Sequence, residues 1–303
     1  MPYQLFTLAK NFDLAQYVAK KLDKPLHIAD VKQFADTEQE IKFPELPSLP
    51  NKTGVLIQST YPPVNDHLVE VALASFGIKT LGAKNILGVI PYFGYSRHDK
   101  NVFKQKPGPV QVVIRMLEAA GITKFVTVQL HNPLIIPYFQ VSVIDILLND
   151  FFANLIKTHI PDWQNACIIA PDEGAREMIQ DIANKVGCGY LVFSKERFAA
   201  DKTKIIGVEG TCTSKTAIII DDIIDTGGTA VNVANELKTQ GFDRIFGFFA
   251  HPVLSADAPE RIEKSAFEKI FVSNTIPLDG KKTSKIDQFD ISSLVAESVQ
   301  RMF

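Results

Sequence analysis

One segment of the sequence, residues 217–229 with the letters AIIIDDIIDTGGT, has an order of residues suited to binding a sugar phosphate. Gly227 and Gly228 lack Cβ atoms, so successive backbone N–H groups at this turn can point at a single anion. The helix that we expect to begin near Thr229 adds the positive end of its dipole. Thr226 and Thr229 can also donate hydroxyl hydrogen bonds. The segment therefore predicts a phosphate-binding turn between a strand and a helix.

Two adjacent acids, Asp221 and Asp222, lie at the end of the apolar run, just before this turn. Their carboxylates can accept hydrogen bonds from vicinal sugar hydroxyls, or they can hold a metal ion. Ligands of open α/β sheets bind at the carboxyl ends of the strands, which is where these acids lie. The alternative is a tight strand-to-helix turn with a capping threonine and no ligand.

The rest of the chain alternates strand-like and helix-like segments, as expected for an α/β protein. Short apolar, β-branched runs predict these strands: Val55–Gln58, Ile86–Ile90, Phe125–Leu130, Cys167–Ala170, Ala217–Asp221 and Ile245–Ala250. Apolar residues with helical spacing predict helices that include residues 14–21, 110–117, 175–182 and 230–237. Gly121 and Gly241 follow two of these helices at the C′ position.

The length of 303 residues and the distribution of these segments predict two domains, residues 1–147 and 148–303. Each holds its own series of strands and helices. Three stretches are interpreted as long loops of the kind that often carry function: Phe43–Thr53, Asn101–Pro109 and Ser194–Gly207.

Acidic and basic residues nearly cancel, 34 against 32, which leaves a formal net charge of −2. Nucleic acid or an anionic membrane would favour a clustered basic excess, so neither is expected as a partner. The N-terminus has no signal-peptide pattern, and no apolar run is long enough to cross a bilayer. We therefore expect a cytoplasmic enzyme.

Segment 217–229 resembles the signature that type I phosphoribosyltransferases share with ribose-phosphate diphosphokinases. A second segment, residues 89–100 with the letters VIPYFGYSRHDK, resembles the ATP-site segment of the diphosphokinases alone. This resemblance implies four ATP contacts: Arg97, His98, Asp99 and Lys100. His98 stands where that family usually has glutamine. Without the resemblance, the same run is typical of a solvated turn.

Four further motifs match the same family in order along the chain. Residues 34–38 (FADTE) resemble an element that reaches the adenine site of a neighbouring subunit, which implies ATP contacts by Phe34, Asp36 and Glu38. Residues 127–131 (TVQLH) imply that His131 is a catalytic residue at the ATP phosphates and a ligand of the metal. Residues 170–175 (APDEGA) imply that Asp172 is a metal or ribose ligand. Residues 194–197 (SKER) imply that Lys195 and Arg197 are catalytic.

Each of these residues also has a simpler interpretation. Phe34 is equally typical of a core or loop aromatic, and His131 of a structural histidine. Asp172 suits the N-cap of the helix that contains residues 175–182, a role compatible with ligand binding. Lys195 and Arg197 are common in solvated basic loops.

The sequence departs from many family members at three positions where those members have acids: Gln129, Gln140 and Ile144. A neutral amide is a weaker ligand for Mg²⁺ than a carboxylate. These departures bear on the metal site near His131 and on activation by phosphate. They also keep open the hypothesis of an inactive homologue that regulates a true synthetase.

The resemblance as a whole implies a ribose-phosphate diphosphokinase, which transfers the diphosphoryl group of ATP to ribose 5-phosphate with Mg²⁺. It implies two tandem phosphoribosyltransferase-like domains, each a mostly parallel sheet flanked by helices. ATP is expected on the first domain and ribose 5-phosphate on the second, and the last residues could pack back on the first. A homo-oligomer, a dimer or a multiple of dimers, is also implied. The expected ribose 5-phosphate ligands are Asp221, Asp222, Asp225, Thr226, Gly227, Gly228 and Thr229. A phosphoribosyltransferase explains segment 217–229 equally well, but not segments 34–38 and 89–100.

Overall fold

The computed structural model describes residues 3–8, 13–44, 49–98, 108–199 and 202–303; for residues 194–199, 202–206, 208 and 211 it describes the backbone alone. The chain divides into two compact units. The first contains Met1–Ile146, Asn274–Pro277 and Asp290–Phe303, and the second contains Leu147–Ser273 and Leu278–Phe289.

The first unit is built on a six-stranded sheet in which every pair of neighbours is parallel, in the order β2-β1-β5-β6-β7-β8. A separate antiparallel hairpin, β3-β4, packs against helix α2. The strands are β1 (Tyr3–Thr7), β2 (Leu26–Ile28), β3 (Asp30–Gln33), β4 (Gln39–Lys42), β5 (Thr53–Ile57), β6 (Asn85–Ile90), β7 (Lys124–Val128) and β8 (Ser142–Ile146). The first helices are α1 (Asp13–Lys21), α2 (Val64–Thr80) and α3 (Pro109–Ala119).

The second unit is built on a seven-stranded sheet in the order β11-β10-β9-β12-β13-β14-β15, in which only the β10–β11 pair is antiparallel. Its strands are β9 (Ala166–Ala170), β10 (Gly189–Ala199), β11 (Lys202–Thr211), β12 (Thr216–Ile224), β13 (Arg244–Pro252), β14 (Lys269–Ser273) and β15 (Ile286–Phe289). Its helices are α4 (Asn149–His159), α5 (Arg176–Val186), α6 (Gly228–Thr239) and α7 (Ala258–Glu263).

The last helix, α8 (Ser292–Arg301), belongs to the first unit, where it packs against α1. Two contacts at the end of the chain strengthen this packing. Phe303 stacks on Tyr3 with ring centroids 4.6 Å apart, and Lys124 Nζ donates to the carbonyl of Met302 at 2.6 Å. The C-terminus is thus held on the sheet of the first unit.

The α/β class and the parallel sheets flanked by helices confirm the fold that the sequence predicts. The expected strands and helices occur within a few residues of their expected bounds. Gly121 and Gly241 have φ values of +119° and +89°, and each lies directly beyond a helix C-cap residue, as expected. No helix in the described part of the chain is long and apolar enough to cross a membrane.

The prediction of a loop over Ser194–Gly207 is wrong. Strands β10 and β11 form an antiparallel hairpin there, with Ser194 paired to Gly207. The charged residues of this stretch indicated a loop, but main-chain groups make the ladder and an edge strand tolerates charge. Of the other expected loops, residues 43–44 and 49–52 have no regular structure, and residues 45–48 and 101–107 lie outside the described part.

The aromatic residues in the core of the second unit allow a direct test of how helices pack on its sheet. Phe248 on β13 is fully buried, stacks on Phe271 at 4.7 Å and meets the edge of Phe152 at 6.0 Å between centroids. We expect Phe248→Ala to lower the free energy of unfolding by about 3–5 kcal/mol, because it leaves a cavity among rings that cannot collapse. Denaturant unfolding measures this change. The exposed Val112→Ala should stay within about 0.5 kcal/mol of the unsubstituted chain, and equal losses in both variants would contradict the packing.

Candidate functional site

The phosphate turn of the second unit follows β12, which lies between β9 and β13 in the sheet. The carbonyl of Ile224 accepts from Leu254 N at 3.1 Å, and that of Asp225 accepts from Ser255 N at 3.2 Å. The segment after β13 thereby fixes the place where the chain leaves β12.

Gly227 is the N-cap residue of α6 and has φ +71°, a conformation that strongly favours glycine. Its carbonyl accepts the first bond of the helix, from Val231 N at 2.9 Å. The helix begins at Gly228, one residue before the expected Thr229. The turn thus has the backbone form that the sequence predicts, with the helix N-terminus directly behind it.

Three carboxyl groups meet at this edge of the sheet. Asp221 and Asp222 lie near the carboxyl end of β12, and Asp172 follows the neighbouring strand β9. The pKa of Asp221 is raised well above its usual value, by burial first and then by the charges of Asp222 and Asp172. The backbone N–H of Asp222 donates to Asp221 Oδ1 at 3.0 Å and opposes this rise. A metal ion or hydroxyl donors bound here would relieve the repulsion.

Asp172 also has the capping role that the sequence allows, although on a different helix. Its Oδ1 accepts from Gly174 N at 3.0 Å and caps the short 3₁₀ helix Glu173–Ala175, which leads into α5. The N-cap residue of α5 itself is Ala175, which makes no side-chain cap. One carboxylate oxygen of Asp172 is therefore used locally, and its position beside β12 is fixed.

The candidate catalytic residues Lys195 and Arg197 lie on β10, and their backbones pair with Ile205 and Thr203 of β11. Their side chains lie outside the described part of the chain. The base of this hairpin is fixed by Arg176, whose guanidinium donates to both carboxylate oxygens of Glu173 and of Glu209 at 2.8–3.0 Å. Arg176 thus links β11 to the 3₁₀ helix that Asp172 caps.

In the first unit, residues after β5 hold the segment that leads to Arg97. Thr60 Oγ1 accepts from Gly94 N at 2.7 Å, and Ser59 Oγ accepts from Tyr92 N at 3.0 Å while donating to the carbonyl of Thr275 at 2.7 Å. A Cβ atom at Gly94 would lie 2.8 Å from the carbonyl oxygen of Thr60, so only glycine fits. Ser59 and Thr60 thus fix the start of the segment that the sequence predicts to bind ATP.

Beyond this anchor, Arg97 and His98 are both exposed on the turn that follows β6. The ring of His98 lies 5.6 Å from that of Tyr95, and Tyr95 Oη donates to Asn65 Oδ1 at 2.8 Å. The other two expected ATP contacts, Asp99 and Lys100, lie outside the described residues.

His131 is exposed at the carboxyl end of β7, and a half-buried acid on β8, Asp145, shapes the turn that carries it. Asp145 accepts from Thr127 Oγ1 at 2.9 Å and from Leu130 N at 3.2 Å. Burial raises the pKa of Asp145, and these hydrogen bonds oppose the rise. Gln129 is buried with φ +44°, which ends β7 at Val128, two residues earlier than expected.

Asp145 is the residue that the sequence interpretation missed. A single acid inside the otherwise apolar run of β8 was the available signal. Of the positions where family members have acids, Gln129 is buried, Ile144 is half-buried on β8, and Gln140 is exposed with its N–H donating to Glu118 Oε1 at 2.6 Å.

The expected adenine element forms the exposed turn between β3 and β4. Phe34 N donates to the carbonyl of Glu38 at 2.8 Å, and Asp36 Oδ1 accepts from Glu38 N at 3.2 Å. The Phe34 ring is 43% exposed and carries Lys32 Nζ over one face at 4.7 Å. Phe34 is therefore a surface aromatic and not a core residue.

The second unit thus brings Asp172, Asp221 and Asp222 together. The first unit anchors the segments that lead to Arg97 and His131. Within the described ranges, no three His, Cys, Asp or Glu side chains are grouped as a metal site by themselves.

The raised pKa of Asp221 predicts a pH dependence for the ligand-free protein. The folded chain holds a proton that the unfolded chain, with a carboxyl pKa of about 4, has lost. Stability is therefore lost as pH rises from about 4 through the folded-state pKa. We expect Asp221→Asn to unfold at a higher temperature than the unsubstituted chain above this window, with little difference below it. A difference that stays constant over pH would contradict the shift.

Comparison with known proteins finds ribose-phosphate pyrophosphokinases as relatives over almost the whole chain. Residues 3–121 match the model of the N-terminal domain of ribose phosphate pyrophosphokinase, and residues 196–303 match the phosphoribosyl synthetase-associated domain. The chain is 33% identical over 300 residues to a ribose-phosphate pyrophosphokinase of Helicobacter hepaticus, covering 99% of this chain and 96% of the relative. It is 32% identical over 301 residues to that of Bacillus caldolyticus, covering 99% and 94%. Among solved structures, a phosphoribosylpyrophosphate synthetase from Mycobacterium smegmatis superposes with a TM-score of 0.89 at 27% identity, covering 100% and 99% of the two chains.

Proposed function

Because this chain belongs to the ribose-phosphate pyrophosphokinase family, we propose that it transfers the β,γ-diphosphoryl group of ATP to the C1 hydroxyl of ribose 5-phosphate. The products are phosphoribosyl diphosphate and AMP. The observation that carries this proposal is the phosphate turn with its three carboxyl groups, in a chain that matches its relatives over almost its full length. The cytoplasm is the proposed location, in agreement with the expectation from the sequence.

Ribose 5-phosphate is proposed to bind to the second unit. Its phosphate lies at the turn before α6, where backbone N–H groups and the helix dipole favour a dianion. The vicinal ribose hydroxyls donate to Asp221 and Asp222. Thr226 and Thr229, which are both exposed, supply hydroxyl donors, and Asp225, Gly227 and Gly228 complete the turn.

ATP is proposed to bind to the first unit, at the carboxyl edge of its sheet. His131 and Arg97 are exposed there, on turns fixed by Asp145 and by Thr60. His98, Asp99 and Lys100 extend the Arg97 side of this site. The adenine is bound by Phe34, Asp36 and Glu38 of a second copy, where the exposed Phe34 ring offers a stacking surface.

In the proposed reaction the ribose C1 oxygen attacks the β-phosphorus in line, the bond from that phosphorus to the α,β-bridging oxygen breaks, and AMP leaves. Catalysis of this kind rests on positioning and on stabilising charge. Lys195 and Arg197 neutralise negative charge that spreads over the diphosphoryl group. The hydroxyl proton of C1 is lost to solvent.

Mg²⁺ is the proposed metal, and the donors at the site fit it. It prefers oxygen ligands and is usually held by one or two carboxylates together with substrate phosphates. In the second unit, Asp172 would supply such a carboxylate beside the repelling pair Asp221 and Asp222. In the first unit, His131 would be a ligand for the metal that accompanies the ATP phosphates. When bound, the ion neutralises charge on the phosphates.

The proposed function is tested by AMP formation from ATP and Mg²⁺, with and without ribose 5-phosphate. We expect AMP only when ribose 5-phosphate is present, in equal amount to phosphoribosyl diphosphate. A folded chain that binds ribose 5-phosphate but forms no AMP would instead be a regulatory homologue. A chain that consumes phosphoribosyl diphosphate with a base would be a phosphoribosyltransferase.

The role of Lys195 gives a sharper expectation. Lys195→Ala should lower kcat by about 10³-fold, because an electrophilic cation at the moving group contributes on this scale. Binding of ribose 5-phosphate should change little. Lys238→Ala, an exposed lysine on α6, is the control and should keep full kcat. A Lys195 variant with kcat near that of the unsubstituted enzyme would remove Lys195 from the mechanism.

The homo-oligomer is proposed to form through α2. Val69, Leu73 and Phe76 lie on one face of this helix and are 46%, 41% and 58% exposed. Gln39 Nε2 donates to Glu70 Oε1 at 3.0 Å and ties the adenine hairpin to the same helix. A second copy on this face would therefore lie beside the β3–β4 hairpin, whose residues 34–38 are proposed to bind the adenine of that copy.

We expect Leu73→Glu to lower the oligomer mass in analytical ultracentrifugation and to raise the KM for ATP, because a charge on an apolar interface is not compensated. The exposed Lys84→Glu in the following loop should change neither. An unsubstituted chain that is monomeric and fully active would rule out the oligomer.

A further inference from the structure

Helix α7 forms the support of the phosphate turn. A Cβ atom built on Gly227 would lie 3.7 Å from Ile262 and 3.9 Å from Ala258, so α7 packs directly against this glycine. The segment between β13 and α7 is hydrogen-bonded to the end of β12 through Leu254 and Ser255. The side chains of α7 are thus held at a fixed distance from the turn.

One of these side chains, Arg261, points its guanidinium at the next glycine. A Cβ atom built on Gly228 would lie 3.4 Å from Arg261 Nη1 and 3.6 Å from Thr226 Oγ1. Two hydrogen-bond donors therefore converge on the space that Gly228 leaves open. Both distances are van der Waals distances to a carbon atom and are longer than hydrogen bonds, so a phosphate oxygen in this space would bind both donors after they close by a few tenths of an ångström.

The orientation of Arg261 is set by Asp257, one turn earlier on the same segment. Arg261 Nη2 donates to Asp257 Oδ1 at 2.9 Å and to Oδ2 at 3.1 Å. These bonds use Nη2 and leave Nη1 on the side of the turn. The guanidinium is planar, so fixing one edge fixes the direction of the other.

We propose that Arg261 is a binding residue for the 5-phosphate of the sugar substrate, with Asp257 as its positioning residue. This inference rests on the proposed function and extends the turn by a cation that the sequence motif does not contain. Arg261 Nη1 and Thr226 Oγ1 bind the same phosphate group that the backbone N–H groups of the turn bind. Arginine suits this role because its charged N–H groups bind phosphate strongly and with defined geometry.

The simpler role for Arg261 is a surface ion pair with Asp257, four residues earlier in the chain. Such an exposed pair contributes little to stability and does not distinguish phosphorylated from unphosphorylated sugars. Lys264 lines the same surface pocket as Arg261, Asp257 and Glu260, and it carries the same charge as Arg261. Lys264 is exposed and is not among the neighbours of a Cβ atom built on Gly227 or Gly228, which makes it a matched control.

The experiment compares Arg261→Gln and Lys264→Gln in the full chain by isothermal titration with ribose 5-phosphate and with ATP. We expect Arg261→Gln to weaken ribose 5-phosphate binding by about tenfold or more, the scale of one charge-assisted hydrogen bond, with ATP binding unchanged. Steady-state kinetics should show a raised KM for ribose 5-phosphate at nearly constant kcat. Lys264→Gln should match the unsubstituted chain in every measurement.

Two further variants separate ligand binding from folding. Arg261→Lys keeps the charge but not the planar fork, and we expect an intermediate loss of binding. Gly228→Ala places a methyl group at the convergence point with ordinary contact distances, so the chain should fold and bind ribose 5-phosphate more weakly. Thermal unfolding verifies that each variant is folded.

Arg261→Gln that binds ribose 5-phosphate within twofold of the unsubstituted chain would overturn the assignment of Arg261 and leave the proposed function intact. An unsubstituted chain that neither binds ribose 5-phosphate nor forms AMP would overturn both. The two failures are distinguished by the unsubstituted chain alone.

Discussion

Strand β12 is hydrogen-bonded to β9 on one side and β13 on the other, and these two ladders fix the position of every group at the phosphate site. The pairing of Ile219 with Ile169 brings the segment after β9, with Asp172, level with the acids of β12. The pairing with β13 brings the segment that supports the turn to the other side. Main-chain bonds buried in a sheet are costly to break, so the site has little freedom to rearrange.

This constraint concentrates negative charge at the site proposed for the anionic substrate. Asp221 is held beside Asp222 and Asp172, and burial first, followed by these two charges, raises the pKa of Asp221. The phosphate turn provides positive charge and hydrogen-bond donors beside these acids. They are its backbone N–H groups, the N-terminus of α6 and the guanidinium of Arg261, which Asp257 holds in place. Acceptors for sugar hydroxyls and donors for phosphate therefore lie a few residues apart. Such a separation of charge favours a sugar phosphate in one orientation.

In the first unit, side chains that bond main-chain groups also hold turns in place. The exposed residues proposed to bind ATP, Arg97 and His131, lie on such turns. Ser59 and Thr60 bond the backbone after β6, and Asp145 bonds the backbone after β7. Ser59 and Thr60 are buried and bond main-chain groups of the segment before Arg97, which gives that turn a defined shape.

The central strands and the phosphate turn were predictable from the sequence, because local residue patterns determine them. Apolar β-branched runs identified the central strands of both sheets, β5, β6 and β7 in the first and β9, β12 and β13 in the second, and the Gly227-Gly228 pair identified the turn after β12. The hairpin β10–β11 was missed, because its strands pair across a sheet edge and charged residues there resemble a loop. Asp145 and Arg261 were missed for another reason. Each acts on a residue distant in sequence or on the backbone of another segment, and no local spacing reveals such a contact.

The measurement that tests the central claim most directly follows the β-phosphorus of ATP. Purified chain is given ATP radiolabelled at the β-phosphate, together with ribose 5-phosphate and Mg²⁺, and the label is traced by chromatography. We expect label in phosphoribosyl diphosphate, attached at C1, in equal amount to the AMP released. Label that remains in ADP, or that appears as free diphosphate without a labelled sugar, would contradict transfer of the diphosphoryl group to ribose 5-phosphate.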